Sequence, residues 1–182
     1  MEERRNREMI PKKYETTAER TSEREMVVRR TFHAPAHLIF DAWTKPELLK
    51  RWWIPKSCGM SFVSCETDVR TGGGYRFVFR HPSSEQPMAF FGKYIEVIPN
   101  ARLVWTNEEG GEGGAVTTVT FEQRGEETLV VVHDLYASKQ ALDEAIASGS
   151  TSGAEEQFGQ LDELLVGLGA GVARDGFRSG TA

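Results

Sequence analysis

The 182-residue chain has only two cysteines, Cys58 and Cys65. Their spacing fits neither a Cys-x-x-Cys redox pair nor a zinc ribbon, and two residues make no disulfide framework. A reduced, cytoplasmic setting is the expectation. The sequence also lacks any run approaching the roughly 20 apolar residues that span a bilayer, and no N-terminal stretch has the apolar core of a signal peptide. Membrane insertion is not expected. Basic charge is not in excess: 22 Lys and Arg stand against 27 Asp and Glu, a net charge of −5. Binding to a phosphate backbone calls for a clustered basic face, so nucleic acid is not an expected partner. Nothing repeats at a fixed period, which excludes solenoids and propellers.

Chemical motifs are equally scarce. There is no Gly-x-Ser-x-Gly elbow. Gly72-Gly73-Gly74 lacks the Lys-Ser/Thr of a phosphate loop and precedes a strand, so it reads as a turn. Of the four histidines, His33 and His37 flank Pro35 at a strand-to-helix boundary and share no helical face, and His81 sits in a turn before Pro82. Cys65 alternates with its strand neighbours as a small buried hydrophobe, while Cys58 is a loop thiol. No cofactor, metal ligand or catalytic residue is assigned on these grounds.

The sequence contains two long-range patterns. Residues 1–24 hold 13 charged positions and almost nothing to bury, so they read as a polar flexible leader; residues 169–182, rich in Gly, read as a flexible tail. Between them, residues 25–168 form one domain. It opens with a strand at 26–32, followed by short helices at 35–44 and 46–52, each introduced by a proline whose missing N–H suits a helix start. After Pro55 the apolar period changes from about 3.6 to 2. Strands are expected at 59–69, 74–81, 88–98, 102–107, 114–123 and 127–135, joined by connections short enough to demand antiparallel pairing. Thr117, Val119 and Phe121 alternate with polar neighbours, so one face is greasy and the other wet. Ser138 caps a helix to Ile146, and a closing helix from about 152 to 168 carries Phe158, Leu161, Leu165 and Leu168 as one stripe.

This order predicts an α+β helix-grip fold. A curved antiparallel sheet of about six to seven strands wraps around the long C-terminal helix, with two short helices after the first strand and an internal cavity. Gly92, inside a strand, fits a bulge or bend that increases the curvature. The walls of that cavity would draw on inward aromatic residues from every element: Trp43, Trp52, Phe77, Phe79, Tyr94, Trp105, Phe121 and Phe158, with Leu161 beside them and His133 as a polar tip. Large aromatic walls with occasional polar groups bind flat or lipid-like molecules by burying area.

The run Phe40-Asp41-Ala42-Trp43-Thr44-Lys45-Pro46-Glu47-Leu48-Leu49-Lys50-Arg51-Trp52-Trp53 resembles the opening helices of the activator of heat-shock-protein-90 ATPase homologue family, within the START-like, birch-allergen-like superfamily. The likeness continues through Asp68-Val69-Arg70-Thr71-Gly72-Gly73, through Ile98-Pro99-Asn100-Ala101-Arg102-Leu103-Val104-Trp105-Thr106 and into Phe158-Gly159-Gln160-Leu161-Asp162-Glu163-Leu164-Leu165. It implies the helix-grip fold over 25–168. That fold serves lipid carriers, cyclases, resistance proteins and co-chaperone fragments, so it names no reaction by itself. The eukaryotic co-chaperones behind the family name carry a separate N-terminal domain, which the 24 polar leader residues cannot supply; this argues against a chaperone partner.

The leading expectation is a non-catalytic binding protein for a small apolar or amphipathic molecule. A cyclase or hydrolase using His133 as acid/base, with Tyr94 orienting the substrate, is the enzymatic alternative and requires His133 to point inward. An interaction module, either chaperone-linked or a homodimer anchored by an exposed Trp53, is the third. The facing of strands 88–98 and 127–135 stays open, because both of their faces are apolar and a one-residue slip reverses every side chain.

Overall fold

Periodicity of about 3.6 followed by eighty residues of period 2 yields the expected elements, with small shifts at their ends. The computed structural model describes residues 14–111 and 114–175, with side chains through residue 169. The elements are β1 (Thr17–Arg20), β2 (Glu25–Phe32), α1 (Ala36–Thr44), α2 (Pro46–Trp52), β3 (Ser61–Thr67), β4 (Gly74–Arg80), β5 (Met88–Ile98), β6 (Arg102–Thr106), β7 (Val116–Arg124), β8 (Glu127–Leu135), α3 (Lys139–Ala147) and α4 (Ala154–Asp175). All strands join one curved antiparallel sheet in the order β1-β2-β8-β7-β6-β5-β4-β3, so the first long strand lies beside the last. This is the helix-grip arrangement, with eight strands where six to seven were expected.

The additional strand, β1, falls inside the stretch read as leader: Thr17–Arg20 pairs with Met26–Arg29 across a tight turn. Charged side chains do not prevent this, because an edge strand needs only backbone partners and tolerates charge on its open side. At the other end the α4 backbone stays helical to Asp175, beyond the expected stop at 168. Leader residues 1–13 and tail residues 176–182 lie outside the described residues.

The curvature has a local cause. β5 pairs with β4 through its first half and with β6 through its second. Where it changes partner, a Cβ on Gly92 would stand 1.9 Å from the Thr106 carbonyl oxygen. Only glycine permits that approach. The register shift itself follows at Tyr94–Glu96.

Helices α1 and α2 start at prolines as expected. The Pro35 carbonyl accepts from the Leu38 and Ile39 amides, and Pro46 occupies the first turn of α2. The Ser138 hydroxyl oxygen caps α3 by accepting from the Ala141 amide at 3.1 Å. α4 buries Phe158, Leu161, Leu164 and Leu165 against α1, α2 and β2. One continuous core results, running from Phe32 and Ile39 through Leu49, Leu103 and Val130 to Leu165. No described helix is long and apolar enough to cross a membrane.

Candidate functional site

Antiparallel register brings one row of inward side chains across five strands. Tyr94 on β5 is opposite Trp105 on β6, Trp105 is opposite Thr117 on β7, Thr117 is opposite Asp134 on β8, and Asp134 is opposite Met26 on β2. All five line a single cavity of about 770 Å³ between the sheet, α1, α2, α3 and the first turns of α4. This size falls within the range typical of small-molecule sites. The exposed lining residues, Glu109 and Gly110 before β7 with Glu144, Ser148 and Ser150 on and after α3, mark its mouth.

The apolar wall is built from tryptophan. The chain has four, Trp43, Trp52, Trp53 and Trp105, and every one of them lines the cavity. Trp43 is the hub: its ring lies 4.8 Å from that of Trp52, 5.6 Å from Trp53, 6.0 Å from Trp105 and 6.3 Å from Phe158. Most of these contacts are edge-to-face, the arrangement that the ring quadrupoles favour. The Trp43 indole N–H is buried with no hydrogen-bond partner.

Two glutamines on α4 hold this wall in place. The Gln160 amide donates to the carbonyls of Trp52 (2.9 Å) and Ile54 (2.8 Å), while its carbonyl accepts from the Lys56 amide (2.9 Å). Gln157 donates to the Trp53 carbonyl at 2.5 Å. The last carbonyls of a helix have no partner within it; here α4 supplies those partners, and in doing so fixes where Trp52 and Trp53 stand.

The polar wall is a chain of hydrogen bonds that ends on a carboxylate. The Asn107 amide donates to the Thr117 hydroxyl (3.0 Å), which donates to Asp134 Oδ1 (2.5 Å). The Tyr75 hydroxyl donates to the Thr106 carbonyl (2.8 Å), with Asn107 Oδ1 at 3.3 Å. Burial pushes the Asp134 carboxyl above the usual carboxylate range, against the opposing pull of the Thr117 hydrogen bond and of neighbouring His133. Burial also raises the Tyr75 and Tyr94 hydroxyls, and Glu109 adds to the effect at Tyr75. Both phenols therefore stay neutral donors at physiological pH. The Tyr94 hydroxyl forms no hydrogen bond among the described residues, although Tyr94 is only 4% exposed.

Six of the ten residues expected from sequence, Trp43, Trp52, Phe77, Tyr94, Trp105 and Phe158, line the cavity. Four do not. Phe79 packs against Phe62 and Phe90 at the far end of the sheet, Phe121 packs against Phe40, and Leu161 is fully buried beneath α4. His133 is on the opposite sheet face, its Nε2 2.8 Å from Glu25 Oε1. Val132 and Asp134, its neighbours on β8, are the inward pair, so an acid/base role for His133 in the cavity is closed. Trp53 is likewise not the exposed anchor expected: its ring lies 5.3 Å from Trp52 and 5.5 Å from Phe77. Cys65 is buried, its thiol pushed up to about 11 chiefly by that burial, which leaves it inert. Asp134, Thr117, Asn107, Tyr75 and the two glutamines were missed by sequence reasoning. The signal for Asp134 was the two-residue turn at Gly125-Glu126, which pairs Arg124 with Glu127 and thereby places Asp134 opposite Thr117 on the greasy face.

No curated protein matches the sequence. Solved structures do. A Rhodobacter sphaeroides protein superimposes with a TM-score of 0.76 at 25% identity, over 85% of this chain and 99% of that one. A Nitrosomonas europaea protein gives 0.74 at 23% identity over 83% and 99%. CalU16 from Micromonospora echinospora gives 0.56 at 18% identity over 88% and 89%. The family model described as "Activator of Hsp90 ATPase homolog 1-like protein" matches residues 33–166, which run from the end of β2 into α4 and include nearly the whole cavity wall. On that match the chain belongs to the Activator of Hsp90 ATPase homolog 1-like family, with its helix-grip fold of the ligand-binding kind.

Proposed function

We propose that the protein binds a small apolar or amphipathic molecule in the cavity between the sheet and α4. The observation that carries this reading is the convergence of all four tryptophans on one 770 Å³ space. The rings also pack on one another, but a fold needing tryptophan only for its core would leave no space of that size between them and the sheet. Each methylene removed from water is worth about 0.8 kcal/mol, and association costs at least about 4 kcal/mol. A micromolar complex, about −8 kcal/mol, therefore needs on the order of fifteen buried carbon units. A medium-sized hydrophobic skeleton supplies that number.

Native mass spectrometry of the protein isolated from its own host tests the reading. The expected result is a stoichiometric mass excess that disappears on denaturation and is recovered in an organic extract. Empty protein from the host, together with no fluorescence change on adding an apolar dye, would overturn it.

A further inference from the structure

The cavity's charge selects among apolar ligands. Its charged lining residues are all acidic: Asp134 in the wall, with Glu109 and Glu144 at the mouth. Among the described lining residues there is no Lys, Arg or His. The donors beside Asp134 are spent, the Asn107 amide on Thr117 and the Thr117 hydroxyl on Asp134 itself; the unpaired donors of the wall, the Trp43 indole N–H and the Tyr94 hydroxyl, lie on other elements and are neutral. The second Asp134 oxygen has no partner among the described residues and remains an open acceptor. A carboxylate-headed ligand would meet like charge and no cationic donor, a pairing that is costly in a low-dielectric cavity. A protonated amine would meet an acceptor and a counter-charge there, with the Trp105 ring two strands along the same row to take its apolar body.

Resting on the ligand-binding reading above, we propose that the cavity takes a lipophilic amine whose ammonium group sits against Asp134 while its apolar body runs along the tryptophan wall toward Tyr94. Two further observations point the same way. Tyr94, 4% exposed, presents a hydroxyl without a partner among the described residues, three strand spacings from Asp134, or about 14 Å along the sheet at ~4.8 Å per strand. The row thus has an acceptor one strand from one end and an unused hydroxyl at the other. Burial also holds the Asp134 carboxyl above its usual range, so an ammonium partner relieves an existing penalty. The acidic mouth adds steering, since a rim of one charge sign raises the encounter rate of oppositely charged ligands.

The test uses the full chain and three probes of equal chain length, dodecylamine, dodecanol and dodecanoate, the two ionic ones below their micellar concentrations and the alcohol below its solubility limit, each read by tryptophan fluorescence. The expected order is amine tightest, alcohol intermediate and carboxylate at least tenfold weaker than amine. Asp134→Asn should lose at least tenfold for the amine while holding alcohol affinity within twofold. Glu163→Gln, which removes the same charge from an exposed α4 position outside the cavity, should leave both unchanged. Dodecanoate binding as tightly as the amine, Asp134→Asn leaving the amine unaffected, or Glu163→Gln weakening it equally would each overturn the amine assignment while dodecanol binding upholds the cavity reading. Failure of all three probes to bind would overturn the cavity reading itself.

Discussion

Replacing Gln160 should loosen the protein and its cavity together. The side chain is 8% exposed and makes three hydrogen bonds, to the Trp52 and Ile54 carbonyls and the Lys56 amide. A typical net hydrogen bond is worth about 1 kcal/mol, and a buried group left unsatisfied costs about 1–3 kcal/mol. Three groups orphaned at once, with water able to reach some of them from the cavity, put the loss for Gln160→Leu at about 3 kcal/mol. Leucine keeps most of the volume, so the loss reports the bonds rather than a hole. With a urea dependence of about 2 kcal/mol per molar, the unfolding midpoint should fall by roughly 1.5 M at unchanged slope. Because one of the same bonds holds the Trp52 carbonyl, dodecanol affinity should fall as well. A midpoint shift under about 0.3 M at that slope would refute the reasoning, by showing that the Trp52 and Ile54 carbonyls and the Lys56 amide find other partners without Gln160.

Three further outcomes are expected. Gly92→Ala puts a Cβ 1.9 Å from the Thr106 carbonyl oxygen, so β5 and β6 must separate; a loss of about 2 kcal/mol or more by thermal unfolding is expected, and wild-type stability would contradict the close approach. Trp105→Ala should weaken dodecanol binding by about 1.5–3 kcal/mol, whereas His133→Ala should leave it within twofold; equal losses would place His133 in the wall after all. Burial raises the Asp134 carboxyl in the folded state, so the native protein holds that proton more tightly than the unfolded chain. This contribution to stability is intact below the ordinary carboxylate range and is lost as pH rises through the native value. Asp134→Asn should therefore raise the melting temperature of the ligand-free protein at neutral pH more than at pH 4, and a destabilised variant at pH 7 would contradict the buried charge.

The fold was legible because its signals are local. Prolines at 35 and 46 start two helices, the period switch after Pro55 announces the sheet, and the Phe158–Leu165 stripe identifies the helix that crosses it. The site was legible only where one face of an element is plainly polar, as in β7. On β8 the run Leu129-Val130-Val131-Val132 is apolar on both faces, and periodicity cannot choose between His133 and Asp134 as the inward residue. The hairpin register makes that choice. Trp53 was misjudged because adjacency to Trp52 was taken to put it on a solvent face; as the cap residue it keeps helical backbone, its amide donating to the Leu49 carbonyl, and its ring still packs against Trp43, Trp52 and Phe77. Gln157 and Gln160 carry no sequence signal, since their partners are backbone groups about a hundred residues away.

The most direct test of the central claim follows the indole N–H signals of Trp43, Trp52, Trp53 and Trp105 in a nitrogen-15 correlation spectrum during a titration with dodecanol. Because all four rings line one cavity, the account predicts that the four resonances shift together, saturate at one equivalent and yield a common dissociation constant. Indole signals that stay fixed while other surface amides shift would contradict it.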